Sequence, residues 1–353
     1  MVLNKWIEKI GDSIPVSYYQ ILFRKSTAAF FYHTVSDDPI PHIQHLYSYK
    51  SQKMFENDLN YLLNGHQIIS YQQLLDYYQS GTSLKVNSVW ISFDDGLREC
   101  LTIVRPLLIK YQIPCTFFMT TDFIDNKEMF YRHKVSLCIS KMALQDNEWR
   151  RYVFDKIQKI FGVTVRDARE FLVWVKSLGY PDQEMISDLC NEMEIDVEAY
   201  LADVRPYLTS DEIRALKSEG FTIGAHSRAH PLLRELPPAS SDCDLAASIE
   251  CEIVESCRKI CEITDVDTVP FAFPFYGSGV PVELIKDIRS KNKEVGLIFD
   301  TDGIGQYGGE VINRIWADPP NQDGSSQTNL PELLHNSYRE VFFERLKGLG
   351  LYE

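Results

Sequence analysis

Short apolar runs alternate along the chain with longer amphipathic stretches, and this alternation limits the fold more than any other feature. TAAFFYHTV is followed by KMFENDLNYLLNG, HQIIS, YQQLLDYYQSG, SVWISF, ECLTIVRPLLIKYQ and PCTFFMT. It resumes with FTIGAHS, a cysteine-bearing helical stretch, VPFAFPF, VELIKDIRSKN, VGLIFD and VINRIWAD. β-Branched and aromatic runs read as strands, the stretches between them as helices, and such βαβ units build a parallel sheet. Strands apolar throughout are covered by helices on their outer faces. The expected class is therefore α/β.

About 100 residues separate Thr120, at the end of CTFFMT, from Phe221, at the start of FTIGAHS, where one crossover needs only ~10–30. Helical patterns such as YVFDKIQKIF and RDAREFLVWVKSLG fill this stretch, so an inserted helical subdomain is expected over residues 126–207. Thr209-Ser210-Asp211-Glu212 offers a capping box for the next helix, and Gly220 a stop. Residues 1–26 read as an N-terminal helical extension. PPNQDG at 319–324 reads as a turn or linker, opening a C-terminal region of 319–353 with one closing helix, LPELLHNSYREVFFERLKG.

The chain carries 36 basic against 50 acidic side chains, a net charge of −14, with no local basic run. That opposes binding to nucleic acid. No window offers the ~18 apolar residues of a membrane span, and the polar N-terminus lacks the apolar core of a secretory signal. A cytoplasmic protein with no integral membrane segment is expected, peripheral membrane association remaining open; oligomeric state is not readable. Four of eight cysteines, Cys243, Cys251, Cys257 and Cys261, cluster without C-x-x-C spacing. Cys257 and Cys261 share a helical face with Ile253 and Ile260, which explains them as small buried hydrophobes.

Three groups at strand ends can carry chemistry, because strand C-termini are where parallel α/β folds place their sites. The first is Phe93-Asp94-Asp95-Gly96. Adjacent carboxylates point different ways from an extended chain, so one can face a cation while the other stays free as a base; a turn or helix cap is the bland alternative. The second, His226-Ser227-Arg228-Ala229-His230, lets two imidazoles converge on a metal if the backbone turns helical, or supplies two loop histidines bonded to carbonyls. With one carboxylate the pair makes a two-histidine, one-carboxylate set that leaves coordination positions open. The third is Phe271-Ala272-Phe273-Pro274-Phe275-Tyr276-Gly277, where a strand runs into a turn able to aim a backbone N–H at developing negative charge.

In order and spacing these motifs resemble the polysaccharide deacetylase family, also called the NodB-homology or carbohydrate esterase family 4 group, in its FAYPYG-like branch. The resemblance covers about residues 27–125 and 208–318 and leaves the insertion and tail outside. It implies a distorted (β/α) barrel of about seven strands. It also implies one divalent metal ion, zinc with cobalt or nickel as alternatives, held by Asp95, His226 and His230, with Asp94 as general base. A backbone N–H near Phe275 or Tyr276 would help to hold the oxyanion. The implied activity is removal of N-acetyl groups from a carbohydrate or glycoconjugate.

The family's third-motif arginine, which holds the base, is missing here; Ala272 and Phe273 stand in that neighbourhood. Arg314 in VINRIWAD is the expected replacement, since barrel closure brings late strands beside the first ones; a surface arginine at a strand edge is the alternative. The late histidine that serves as acid has one counterpart, His335, in an expected surface helix beyond the barrel, which disfavours it. His33 in FYHTV either lines the cleft or is buried against a backbone partner. Two competing functions stay open: a metal-dependent phosphoesterase, for which the motifs supply only Arg228, and a catalytically degenerate sugar-binding protein.

Overall fold

The computed structural model describes residues 2–23, 27–236, 245–319, 329–349 and 352. In chain order the strands are β1 (Ala28–Tyr32), β2 (Gln67–Ile68), β3 (Ser88–Phe93), β4 (Thr116–Met119), β5 (Thr222–Ala225), β6 (Val269–Ala272), β7 (Val295–Asp300), β8 (Gln306–Tyr307), β9 (Val311–Asn313) and β10 (Ile315–Trp316). They lie in the order β10-β1-β3-β4-β5-β6-β7-β9-β8, with β2 beside the start of β3. Only the β8–β9 pairing is antiparallel. Every residue of β1, β3, β4, β6 and β7 is buried, as strands covered on both faces must be.

Residues 311–316 close the sheet on itself. Val311, Ile312 and Asn313 pair with Ile298, Phe299 and Asp300 of β7, whereas Ile315 and Trp316 pair with Phe30 and Phe31 of β1. Between them the Arg314 N–H donates to Asp300 O at 2.9 Å, so one bent segment spans both edges. Counting it once beside β1, β3, β4, β5, β6 and β7 gives a nearly closed, distorted barrel of seven strand positions.

Local chemistry starts the helices where the sequence says it should. Ser51 Oγ accepts the Met54 N–H at 3.2 Å to open Gln52–Gly65, and the Thr209–Glu212 capping box opens Ser210–Ser218. Two stretches differ from expectation. HQIIS yields a strand of only two residues. ECLTIVRPLLIKYQ is a π-turn, Cys100–Val104, followed by the helix Arg105–Tyr111, because Pro106 removes a backbone donor where one regular helix would need it.

Between β4 and the helix Ser210–Ser218 that leads into β5, the helices Tyr131–Leu144, Asn147–Phe161, Ala168–Ser177, Gln183–Glu192 and Val197–Val204 share a core of their own that includes Val153, Phe171, Ile186 and Leu189. This core continues through Phe130 and Tyr207 to Leu97, just past β3, and Phe275, past β6, so the insertion packs at the C-terminal ends of the strands. Asn126 pins its two ends together: Nδ2 donates to Tyr207 O at 3.0 Å, and Oδ1 accepts the Tyr207 N–H at 2.9 Å.

The helix Leu330–Gly348 is not a free surface helix. It buries Leu330, Leu334 and Tyr338 in the barrel's core cluster, because its apolar stripe meets the N-terminal helices Val2–Ser13 and Val16–Leu22; Tyr338 stacks against Tyr19 and Phe23. Cys257 and Cys261 are buried in the helix Leu245–Thr264 and Cys251 is exposed; Cys243 lies outside the described residues. No helix among the described residues is long and apolar enough to cross a membrane.

Candidate active site

β3 ends at Phe93, yet the ladder runs one residue further, since the Asp94 N–H donates to Tyr32 O at 2.9 Å. Asp95 and Gly96 then both take positive φ, 70° and 68°, which swings the chain out of the sheet and parts the two carboxylates. Glycine is needed at the second of these positions, where a Cβ would also come within 2.8 Å of Met119 Sδ. Both aspartates are buried.

Asp94 is gripped by Arg314. NH1 and NH2 donate to Oδ1 and Oδ2 at 2.7 and 2.9 Å, and NH1 also donates to Ser92 Oγ at 3.1 Å. The guanidinium is fully buried and sandwiched at 4.7 and 5.1 Å from the Phe31 and Phe118 rings. A paired carboxylate with two charge-assisted donors is fixed in orientation.

Asp95 faces the histidines. Its Oδ1 lies 3.1 Å from His230 Nε2 and 3.5 Å from His226 Nε2, and the three residues offer one potential ligand atom each within 4.8 Å of one another. That oxygen is buried without a well-formed hydrogen bond. The His226 Nδ1–H donates to Ala272 O at 2.9 Å, which leaves the Nε2 lone pair facing the carboxylate. Burial pushes His226 down to about 4, so the ring is neutral, the form that ligates. Burial pushes Asp95 up, but His230 and the other imidazoles outweigh it and hold the carboxyl well below its usual range.

The H-x-x-x-H segment is a loop and not a helical turn, contrary to the condition attached to its spacing. His226 stays in the ladder through Met119 O at 2.8 Å, while Ser227 and His230 take positive φ. Ser227 Oγ accepts the His230 N–H, and the buried carboxylate of Glu252 accepts the N–H groups of Arg228 and Ala229 at 2.9 and 3.2 Å. Arg228 itself turns toward Asp122, 3.7 Å away, and does not line the cavity.

The turn after β6 is tied to the end of β7: Asp300 Oδ1 accepts the Gly277 N–H at 2.8 Å, and the Thr301 hydroxyl donates to Phe275 O at 2.8 Å. Phe275 takes φ 57° and lays its ring 4.8 Å from His230, opposite Phe130 at 4.5 Å. The Tyr276 hydroxyl is engaged by Arg234, whose Nη2 donates to it at 2.9 Å.

Asp94, Asp95, His226, His230, Phe275 and Tyr276 line one cavity of about 420 Å³. His33 lines it as well, with Nδ1 3.5 Å from the buried Asp318. Burial pushes His33 down, but Asp318 outweighs it and raises it to about 9. Asp318 also accepts the His33 and Trp316 N–H groups. Tyr47 covers His33, ring centroids 4.5 Å apart, and its hydroxyl donates to Asp95 Oδ2 at 3.4 Å. His335 is remote, bonded to Ile14 O at 3.1 Å. Glu252, Asp300, Asp318, Tyr47 and Phe130 carried no signal as isolated residues in the sequence.

Residues 81–167 match the family described as polysaccharide deacetylase. That match covers about a quarter of the chain. A poly-beta-1,6-N-acetyl-D-glucosamine N-deacetylase of Staphylococcus epidermidis is 24% identical over 180 residues, 50% of this chain and 61% of that protein, so the match spans about three fifths of the relative. Among solved deacetylases, Streptococcus pyogenes PplD in complex with acetate superposes with TM-score 0.54 at 14% identity, covering 89% of this chain and 98% of that one. IcaB from Ammonifex degensii gives 0.53 at 14% identity, covering 89% and 97%. These likenesses show that the chain shares the fold of those two structures.

Proposed function

We propose that this protein removes N-acetyl groups from a sugar, polysaccharide or glycoconjugate with the help of one divalent metal ion. The observation that carries the reading is the carboxylate Asp94, held by Arg314, with its Oδ2 4.0 Å from His226 Nε2 at the edge of the Asp95–His226–His230 cluster. A buried carboxylate oxygen without a well-formed hydrogen bond and two convergent Nε2 atoms fit a small cation with oxygen and nitrogen preference; zinc, cobalt and nickel all suit that donor set. When bound, such an ion lowers the pKa of bound water toward ~7 and polarises the acetyl carbonyl.

The chain's own residues supply the rest. Asp94 takes the proton of the attacking water, and Arg314 keeps its two oxygens in place. The N–H groups of Phe275 and Tyr276, which have no protein acceptor among the described residues, donate to the oxyanion as the carbonyl carbon becomes tetrahedral. His33, protonated through Asp318, gives its proton to the departing amine. Phe130, Phe275 and Trp316 wall the cavity with aromatic surface that excludes bulk water.

Phosphoester hydrolysis needs several cations round the phosphate, and the cavity offers one arginine, Arg132. A degenerate binding protein has no need for the Arg314–Asp94 clamp. Elemental analysis of purified protein, with acetate release from N-acetylated glycans and phosphate release from p-nitrophenyl phosphate, tests all three readings. Stoichiometric metal with acetate and no phosphate is the expected result; metal-free protein that takes up no zinc, cobalt or nickel overturns it.

A further inference from the structure

Arg132 stands at the start of the insertion helix Tyr131–Leu144 and lines the catalytic cavity. Its guanidinium lies 5.6 Å from the centroid of the Phe275 ring, the ring that also packs on His230. A ring face fixes the guanidinium carbon but leaves the N–H donors of its fork open.

Its isolation is unusual in this chain. The other half-buried or buried arginines among the described residues each have an acceptor. Arg98, Arg105, Arg228, Arg258, Arg289, Arg314 and Arg339 pair with carboxylates, and Arg150 donates to the carbonyls of Met142 and Ala143. Arg132 alone among them has no hydrogen-bond or ion-pair acceptor from the described residues, in a chain where acidic side chains outnumber basic ones by 50 to 36. The two carboxylates that line the cavity are already engaged, Asp94 by Arg314 and Asp95 by the imidazoles, and Asp318 behind His33 is held by His33 and Trp316.

We infer that Arg132 reads an anionic substituent, a carboxylate or a phosphate, carried by the N-acetylated glycan close to the acetamido group being hydrolysed. The inference rests on the deacetylase reading above and narrows its substrate class. An oxyanion placed there receives two parallel N–H donors while the guanidinium keeps its stacking on Phe275. In a protein of net charge −14, a glycan of the same sign is disfavoured on average, so an unpaired arginine in the cavity biases where it docks.

The test compares kcat/KM for acetate release from three substrates: neutral N-acetylglucosamine oligomers, oligomers alternating N-acetylglucosamine with glucuronate, and N-acetylated oligomers joined by phosphodiesters. Wild-type protein, Arg132→Gln and Arg132→Lys are assayed at low and high salt. The wild type should prefer at least one charged substrate by about tenfold or more. Arg132→Gln should remove that preference, mainly through KM, and Arg132→Lys should retain part of it, since it keeps the charge without the fork. High salt should narrow the gap in wild type and leave it unchanged in Arg132→Gln. The carboxylated and phosphorylated arms separate the two sources of anion. Equal use of neutral and charged substrates, or a preference that survives in Arg132→Gln, overturns the inference while leaving the deacetylase reading intact. No acetate from any substrate removes the deacetylase reading itself. Direct binding of the glucuronate oligomer, measured by calorimetry on wild type and Arg132→Gln, then decides anion recognition without turnover.

Discussion

Arg314 and Asp94 lie 220 residues apart in the chain, yet they meet through two parallel hydrogen bonds of 2.7 and 2.9 Å in the barrel interior. The pair fixes the orientation of Asp94 from the barrel's last segment, so in the proposed reaction the base is held by an arginine outside the third motif.

Arg314→Met leaves Asp94 a buried carboxylate without its partner. Breaking a buried pair this way costs about 3–5 kcal/mol, so both a lower melting temperature and a rate loss are expected. Arg314→Met with wild-type melting and wild-type acetate release would remove any role for the pair.

Asp94→Asn should keep the metal and lose about 10²–10⁴ in kcat, because an amide cannot accept the water's proton. His230→Ala should instead reduce metal content, as should Asp95→Ala. Elemental analysis beside kinetics separates the two classes; metal loss in Asp94→Asn would make that residue a ligand rather than a base.

In the proposed reaction the His33–Asp318 pair sets an alkaline limb. His33 is raised from 6.5 to about 9, so the acid form that protonates the leaving amine persists through neutrality, and the rate should fall as pH rises through about 9. The same shift has a sign for stability: the pair's contribution is complete below pH 6.5, the unfolded value, and is lost as pH rises through about 9. Asp318→Asn should move the kinetic limb down by about two pH units or more and flatten the melting-temperature profile between these values. An alkaline limb that stays near 9 in Asp318→Asn would show that another group is being titrated.

Tyr207 joins the insertion to the cavity wall. Its hydroxyl accepts the Phe130 N–H at 3.0 Å and bonds His133 Nδ1 at 2.7 Å, with Phe130 stacked near His230. Tyr207→Phe leaves these buried partners unmatched, which costs about 1–3 kcal/mol, and should raise KM more than it lowers kcat. Chemical denaturation and steady-state kinetics read the two effects; unchanged stability would mean that the hydroxyl bonds contribute nothing.

Much of this was legible in the sequence for a simple reason. Parallel strands end on one side of the sheet, so Asp94, Asp95, His226, His230 and the Phe275 turn could be assigned to one region from strand order alone. Arg314 was legible by the same geometry, because a closing barrel brings late strands beside early ones. The supporting partners were not. Glu252 looks like one more acidic residue on a cysteine-bearing helix, and only the packing of that helix on β5 brings it beneath the histidine loop. The His33–Asp318 contact spans 285 residues and depends on the register of β10 against β1. The H-x-x-x-H spacing suited a helical turn as well as a loop, and the positive φ of Ser227 and His230 decides for the loop.

Residues 311–316 zip onto β7 with one half and onto β1 with the other, and Arg314 is the residue at the switch. An unfinished barrel, open at this seam, would leave Asp94 without its counter-charge and Asp318, two residues past β10, away from His33. In the proposed reaction the same pairing event seals the architecture and arms both the proton acceptor and the proton donor, so a misfolded, open form of the chain would be chemically silent and acetate release would report correct closure.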